Sequence, residues 1–287
     1  MQTHEDLKQQ LKQIKNNDYD ISYIADVDGL IADMLKFIGH TDAELRDGLI
    51  YSTFSALVEK GAFSIAQMKH ILFTCLGEQY LFFGIGEKDT DSVFTRAFSS
   101  LPISVALWFN QNEDAFLTSQ ELIDIKATIL RYISQEKDAR GYVEGKGWAH
   151  AIAHIADVLG HLAEASETVD ADDFCFGREG LLEILAAVKA LVCNKDCVYT
   201  AEEDERLAVP VMDVIYREVL TNEEILSWIA SFDMEDTGWK FSSLPDSFRQ
   251  YVNCKSFMRS LYFKLLSDGD YDEICKAMLD FLAELED

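Results

Sequence analysis

The chain has 287 residues, 48% of them hydrophobic, with 18 Phe, 11 Tyr and 4 Trp, enough for one large core or two ordinary ones. Fifteen Gly and three Pro are few for a β-rich or disordered chain, and 25 basic against 51 acidic residues leave a net charge of −26. A field of that sign repels phosphate backbones and anionic lipid, and no basic run exceeds a pair, so neither nucleic acid nor a membrane surface is expected as partner.

The N-terminus, MQTHEDLKQQLKQIKNND, is polar and lacks the apolar stretch of a secretory signal. No window is read as reaching the roughly 20 apolar residues of a membrane span. The expected compartment is the cytoplasm. The six cysteines, Cys75, Cys175, Cys193, Cys197, Cys254 and Cys275, sit mostly in apolar helical stretches. They read as reduced thiols, since the chain is far larger than a disulfide scaffold. Cys193 and Cys197 are spaced C-x3-C rather than the C-x2-C of zinc ribbons, and no second pair follows.

In chain order, 3–16 and 21–38 are predicted as N-terminal cap helices within 1–40. Leu45, Leu49, Phe54, Leu57 and Val58 keep helical spacing over 41–60, and 64–77 follows. Gly61 and Gly77 stand just past the ends of these runs, as C-terminal caps do. The next pairs are 91–110 with 118–136, 147–165 with 178–192, 200–220 with 221–232, and 247–267 with 271–285. Thr41 with Glu44, Ser64 with Gln67, Thr118 with Glu121, Thr200 with Glu203 and Thr221 with Glu224 match the capping-box pattern. No segment shows sustained period-two alternation. Pro102 and Pro210 fall inside predicted helices, which each should kink or interrupt.

First helices of successive pairs start about 50 residues apart, slightly above the period of HEAT and armadillo units. The predicted fold is therefore all-α: one domain, 1–287, built as an α-α superhelix (a HEAT- or armadillo-like solenoid) of about twelve helices, with five helix pairs over 41–287. An irregular helical bundle is the alternative.

The most distinctive stretch is DARGYVEGKGWAHAIAHIADVLGH, from Asp138 to His161. A glycine-spaced loop feeds a helix carrying His150, His154, Asp157 and His161 at i, i+4, i+7 and i+11. These fall within about 60° of one another, as a polar ridge. The apolar residues, Trp148, Ile155, Val158, Leu159 and Leu162, lie elsewhere on the helix, and Trp148 is assigned to the core. Ala149, Ala153, Ala156 and Gly160 flank the ridge and allow a neighbouring helix to approach closely.

The run EKDARGYVEGKGWAHAIAHIAD, with VFTRAF at 93–98 and RDGLIYSTF at 46–54, resembles a bacterial family called Domain of Unknown Function 2785. The resemblance covers most of the chain, most clearly Leu45 to Val192. It implies a helical-repeat protein and supplies no mechanism.

Three readings of the ridge stay open. His150 and His154 at i, i+4 with Asp157 one turn on have the spacing of a helical metal site for a divalent ion such as zinc. The Glu of H-E-x-x-H is missing, which speaks against a zinc peptidase. Arg140 and Lys146, beside Gly141, Gly145 and Gly147, bring two cations to a helix N-terminus, as an anion or small-molecule pocket would. Alternatively the ridge is a hydrogen-bonded network that fixes packing, His150 bonding a loop carbonyl and Asp157 holding His154. Arg96 is a further candidate. Either it lines a groove with Asp47 and His154, or it forms an inter-repeat salt bridge with Asp47. The expected role is a cytoplasmic scaffold or ligand-binding protein for a protein partner or small anionic ligand, with its site at Arg96, Arg140, Lys146, His150, His154 and Asp157. A metal-assisted hydrolase using His150, His154 and Asp157, with Arg96 or Arg140 as anion clamp, is the runner-up.

Overall fold

A computed structural model describes residues 2–165, 175–232 and 246–285. Among them the chain forms twelve α-helices, one π-helical stretch and a two-stranded ribbon. The helices are α1 (His4–Asn16), α2 (Val27–Lys36), α3 (Ser52–Glu59), α4 (Ile65–Cys75), α5 (Ser92–Asn112) and α6 (Ser119–Gln135). Then come α7 (Ala151–Ala163), α8 (Arg178–Val192), α9 (Glu203–Tyr216), α10 (Asn222–Ala230), α11 (Asp246–Leu266) and α12 (Asp272–Glu284). The π-helical stretch, Glu44–Tyr51, runs directly into α3.

Helix starts follow local chemistry. The Ser64–Gln67, Thr118–Glu121 and Thr221–Glu224 boxes form, each hydroxyl accepting a backbone N–H while the third residue bonds back. Thr3 with Asp6 forms another. Two expected boxes do not. Near residue 41 the carboxylate of Asp42 takes the N–H groups of Glu44 (2.9 Å) and Leu45 (3.3 Å) in place of Thr41. Ahead of α9, left-handed Glu202 occupies the cap, and Glu203 accepts from Ala201 N–H.

Gly61, just past α3, adopts φ +61° as a helix stop does. Both α5 and α9 run through their prolines, Pro102 and Pro210, without interruption. The expected helix over 147–165 starts later, at Ala151, because 142–143 and 147–148 pair as an antiparallel ribbon, β1 (Tyr142–Val143) and β2 (Gly147–Trp148). Trp148 is consequently not in the core: it is 38% exposed on the ribbon.

Helix α5 passes the length and hydropathy test of a membrane span, contrary to the sequence reading, yet 78% of its apolar window is buried by neighbouring helices. It packs against α3, α4 and α7; α7 packs on α9, and α9 on α11. The alternate helices cover this row, with α8 against α7 and α9, α6 against α7 and α8, and α12 against α10 and α11. One contiguous apolar cluster runs from Leu7 to Met278. Helix α7 is thus enclosed on two flanks, and Ala149, Ala153, Ala156 and Gly160 are buried where those neighbours approach.

Candidate functional site

The polar ridge of α7 divides into two halves with different surroundings. At its N-terminal end His150 caps the helix with φ +55°, a left-handed conformation rare for a residue other than glycine. Its ring stacks on Trp148 at 4.3 Å between centroids, and Trp148 meets exposed Tyr142 edge-on at 5.1 Å. His150 Nε2 donates to the Ala201 carbonyl (3.1 Å), the loop-carbonyl bond expected of a packing network.

One turn on, His154 is buried. Its Nδ1 donates to the Ala97 carbonyl of α5 at 3.1 Å, and its ring meets Phe98 edge-to-face at 5.2 Å. Burial drives its pKa down to about 3, so the imidazole is neutral. Asp157 does not hold His154. Both its oxygens face Arg206 of α9, Oδ1 at 2.8 Å from Nε and Oδ2 against Nη2. Among the described residues no group of three His, Cys, Asp or Glu side chains converges as a metal would require.

The cations expected near the helix start all have partners. Arg140 binds Asp138 through two parallel bonds (Nε–Oδ1 2.8 Å, Nη2–Oδ2 2.6 Å) and donates to the Thr90 carbonyl. Lys146 holds Asp91 at 2.6 Å. Arg96, wholly buried, pairs with Glu136, the C-cap residue of α6, rather than Asp47 (Nε–Oε2 2.6 Å, Nη2–Oε1 2.8 Å). Its remaining N–H groups reach the carbonyls of Phe83, Gly84 and Glu87 and the Ser92 hydroxyl, and Tyr132 O–H donates to Glu136. This network ties the 83–87 turn to α5 and the end of α6; wholly buried, Arg96 is not the open groove wall expected beside Asp47 and His154.

Arg46 carries more of this region than its sequence context suggested. Fully buried, it donates to the carbonyls of His40 (2.6 Å), Lys146 (2.7 Å) and Trp148 (2.9 Å), and its guanidinium lies over the rings of Phe94 and Phe98. Among the described residues no carboxylate pairs with it, and burial lowers its pKa to about 10. Gly147 allows this clamp: its φ is +79°, and a Cβ there would meet Ala43 Cβ at 2.7 Å. The signal was in the sequence, because Arg46 stands with Leu49 and Ile50 at i+3 and i+4 on the apolar face.

The C-terminal half of the ridge faces a groove of about 480 Å³ walled by α3, α5, α7 and α9. Tyr51, Val105, Trp108 and Val209 give it apolar surface, and Glu59, Asp157, Glu164 and Asp213 give it four carboxylates. His161 also lines it, with a pKa pulled to about 4 by burial. Gly160 makes room for the Asp213 carboxylate, whose oxygen lies 2.8 Å from where a Cβ would stand. Burial, reinforced by Glu164, lifts Asp213 to about 7. Burial likewise raises Glu164, and raises Asp157 against the pull of Arg206. Sequence reasoning placed Asp157 and His161 on one stripe but did not find Asp213 or Glu164.

No curated protein and no solved structure matches the chain. The profile of a family described as Protein of unknown function (DUF2785) matches residues 81–263, which span the groove walls α5, α7 and α9, the Arg96 network and the ribbon. The chain belongs to that family.

Proposed function

We propose that the protein is a cytoplasmic α-solenoid, one continuous stack of helix pairs, that binds a small organic cation carrying two or more ammonium groups in the groove between α3, α5, α7 and α9. The observation that carries this reading is the groove lining: four carboxylates around Trp108 and Tyr51. Carboxylates and aromatic faces are what an alkylammonium recognises, and the volume lies within the range of small-molecule pockets, about 300–1,000 Å³. Among the described residues Glu164 and Asp213 have no hydrogen bond or ion pair, whereas Asp157 faces Arg206. Two carboxylates facing one groove repel each other, and a cation between them relieves that repulsion. The net charge of −26 concentrates cations at the surface and steers them inward. The row α3, α5, α7, α9 and α11 supports the solenoid reading.

Isothermal titration with spermidine tests the proposal. A saturable site that weakens at least tenfold in the double variant Glu164→Gln, Asp213→Asn is expected. The variant Asp18→Asn, Asp20→Asn, on a separate acidic loop near the N-terminus, should bind like wild type. Absence of a saturable site, or equal weakening in both variants, would show that the acidic surface attracts polyamines without using the groove.

A further inference from the structure

A second feature lies outside the groove, where the C-terminal end of α8 meets α11. Cys193, the C-cap residue of α8, and Cys254, inside α11, bring their sulfurs to 3.9 Å across 61 residues of sequence. Each thiol's near neighbour is the other. Cys193 is partly exposed while Cys254 is fully buried. Cys197, one turn further along the chain, points away and contacts the Ala139 carbonyl at 3.8 Å.

We infer that Cys193 and Cys254 form a reversible disulfide when the protein meets a hydroperoxide. The asymmetry of the pair assigns the roles. Cys193 is the more exposed of the two, and its thiol is held below the usual cysteine range, first by the Cys254 thiol against it and further by Gln250, Lys189 and Lys195. The more exposed and more acidic thiol of the pair is the nucleophile. Its sulfur attacks one peroxide oxygen: an S–O bond forms, the O–O bond breaks, and the leaving hydroxide or alkoxide departs with a proton as water or alcohol. Cys254 then loses its proton and attacks the sulfenic sulfur; the S–S bond forms and the S–O bond breaks, and the hydroxide takes that proton and leaves as water. Two thiols and one hydroperoxide give one disulfide, one water and one further water or alcohol.

The position gives the bond a structural consequence. Asn253, beside Cys254, already holds the α8–α9 connection, accepting from Tyr199 N–H (2.9 Å) and donating to the carbonyls of Asn194 (3.2 Å) and Cys197 (3.0 Å). A disulfide adds a covalent tie at the same junction and closes a loop that contains α9, one wall of the groove. To bond, the sulfurs approach from 3.9 Å to roughly 2.05 Å.

The test treats the full chain with hydrogen peroxide, alkylates the remaining thiols and maps the peptides by mass spectrometry. The expected product is a peptide pair linked through Cys193 and Cys254, with alkylatable thiols falling from six to four and returning to six with dithiothreitol. The variants Cys193→Ser and Cys254→Ser should each lose the linked pair, and Cys197→Ser should keep it. A Cys193–Cys197 link in wild type would overturn the assignment, as would over-oxidation of Cys193 with Cys254 still alkylatable. Both readouts come from the wild-type protein and do not depend on a variant that folds.

Discussion

Replacing His154 by alanine distinguishes a buried packing element from a solvent-lined ligand group. The side chain is 8% exposed, donates one hydrogen bond to the Ala97 carbonyl and packs edge-on against Phe98. Losing the hydrogen bond costs about 1 kcal/mol, and losing the aromatic pair about 1 kcal/mol. The void left between α5 and α7 adds about 1–2 kcal/mol. His154→Ala should therefore destabilise by about 3–4 kcal/mol, or about 6–16 °C in melting temperature. The assay is urea unfolding at pH 7.5 followed by circular dichroism. The penalty should also depend on pH. His154 has its folded pKa depressed from 6.5 to about 3, so its folded state binds fewer protons than its unfolded state between those values. Stability from the neutral imidazole is fully present above 6.5 and is lost as pH falls through this window, at up to about 1.4 kcal/mol per unit. The gap between wild type and variant should narrow from pH 6.5 downward. A variant within about 0.5 kcal/mol of wild type at pH 7.5 would refute the burial of His154 and return it to the ligand reading.

Two carboxylate–cation pairs should behave oppositely. Glu136→Gln leaves the wholly buried Arg96 without its counter-charge and should cost about 3–5 kcal/mol in chemical denaturation, whereas Lys146→Ala, on an exposed pair with Asp91, should cost less than about 1 kcal/mol. Equal costs would contradict the burial of the Arg96 network. Exhaustive dialysis against a chelator should leave the melting temperature unchanged, because the polar groups of the α7 ridge's N-terminal half already have protein partners; a drop of several degrees would place a structural metal in the chain.

Helix positions were legible in the sequence to the extent that their causes are local. The Ser64, Thr118 and Thr221 caps act within four residues, and the structure forms them. Where two local acceptors compete, the sequence misplaces the winner: Asp42 displaces Thr41 because its carboxylate accepts more strongly than a hydroxyl. The ridge on α7 was visible as a stripe, but a stripe gives an angle and not an environment. Its burial follows from α5 on one side and α9 on the other, which no pattern within α7 encodes. Charge partners were illegible for the same reason. Asp91 meets Lys146 from 55 residues away, and Glu136 meets Arg96 from 40. The groove belongs to this non-local class as well: Asp213 sits on α9, two helices further along the chain than the ridge, and its nearness to Glu164 depends on Gly160 admitting it.

The groove's titration offers the sharpest test of the binding reading. Asp213 titrates near 7, raised by burial and by Glu164, while His161, pulled down by burial, stays neutral above about 4. A raised carboxylate pKa means that the folded protein keeps this proton up to about pH 7, and a cation binds only the ionised form. From pH 6 to pH 8 the ionised fraction of such a group rises about tenfold. Spermidine affinity, measured by calorimetry at fixed ionic strength, should therefore tighten about tenfold between pH 6 and pH 8 in wild type and stay flat in Asp213→Asn. An affinity that does not change with pH in wild type, or a pH dependence that survives in Asp213→Asn, would contradict the assignment of the groove as the cation site.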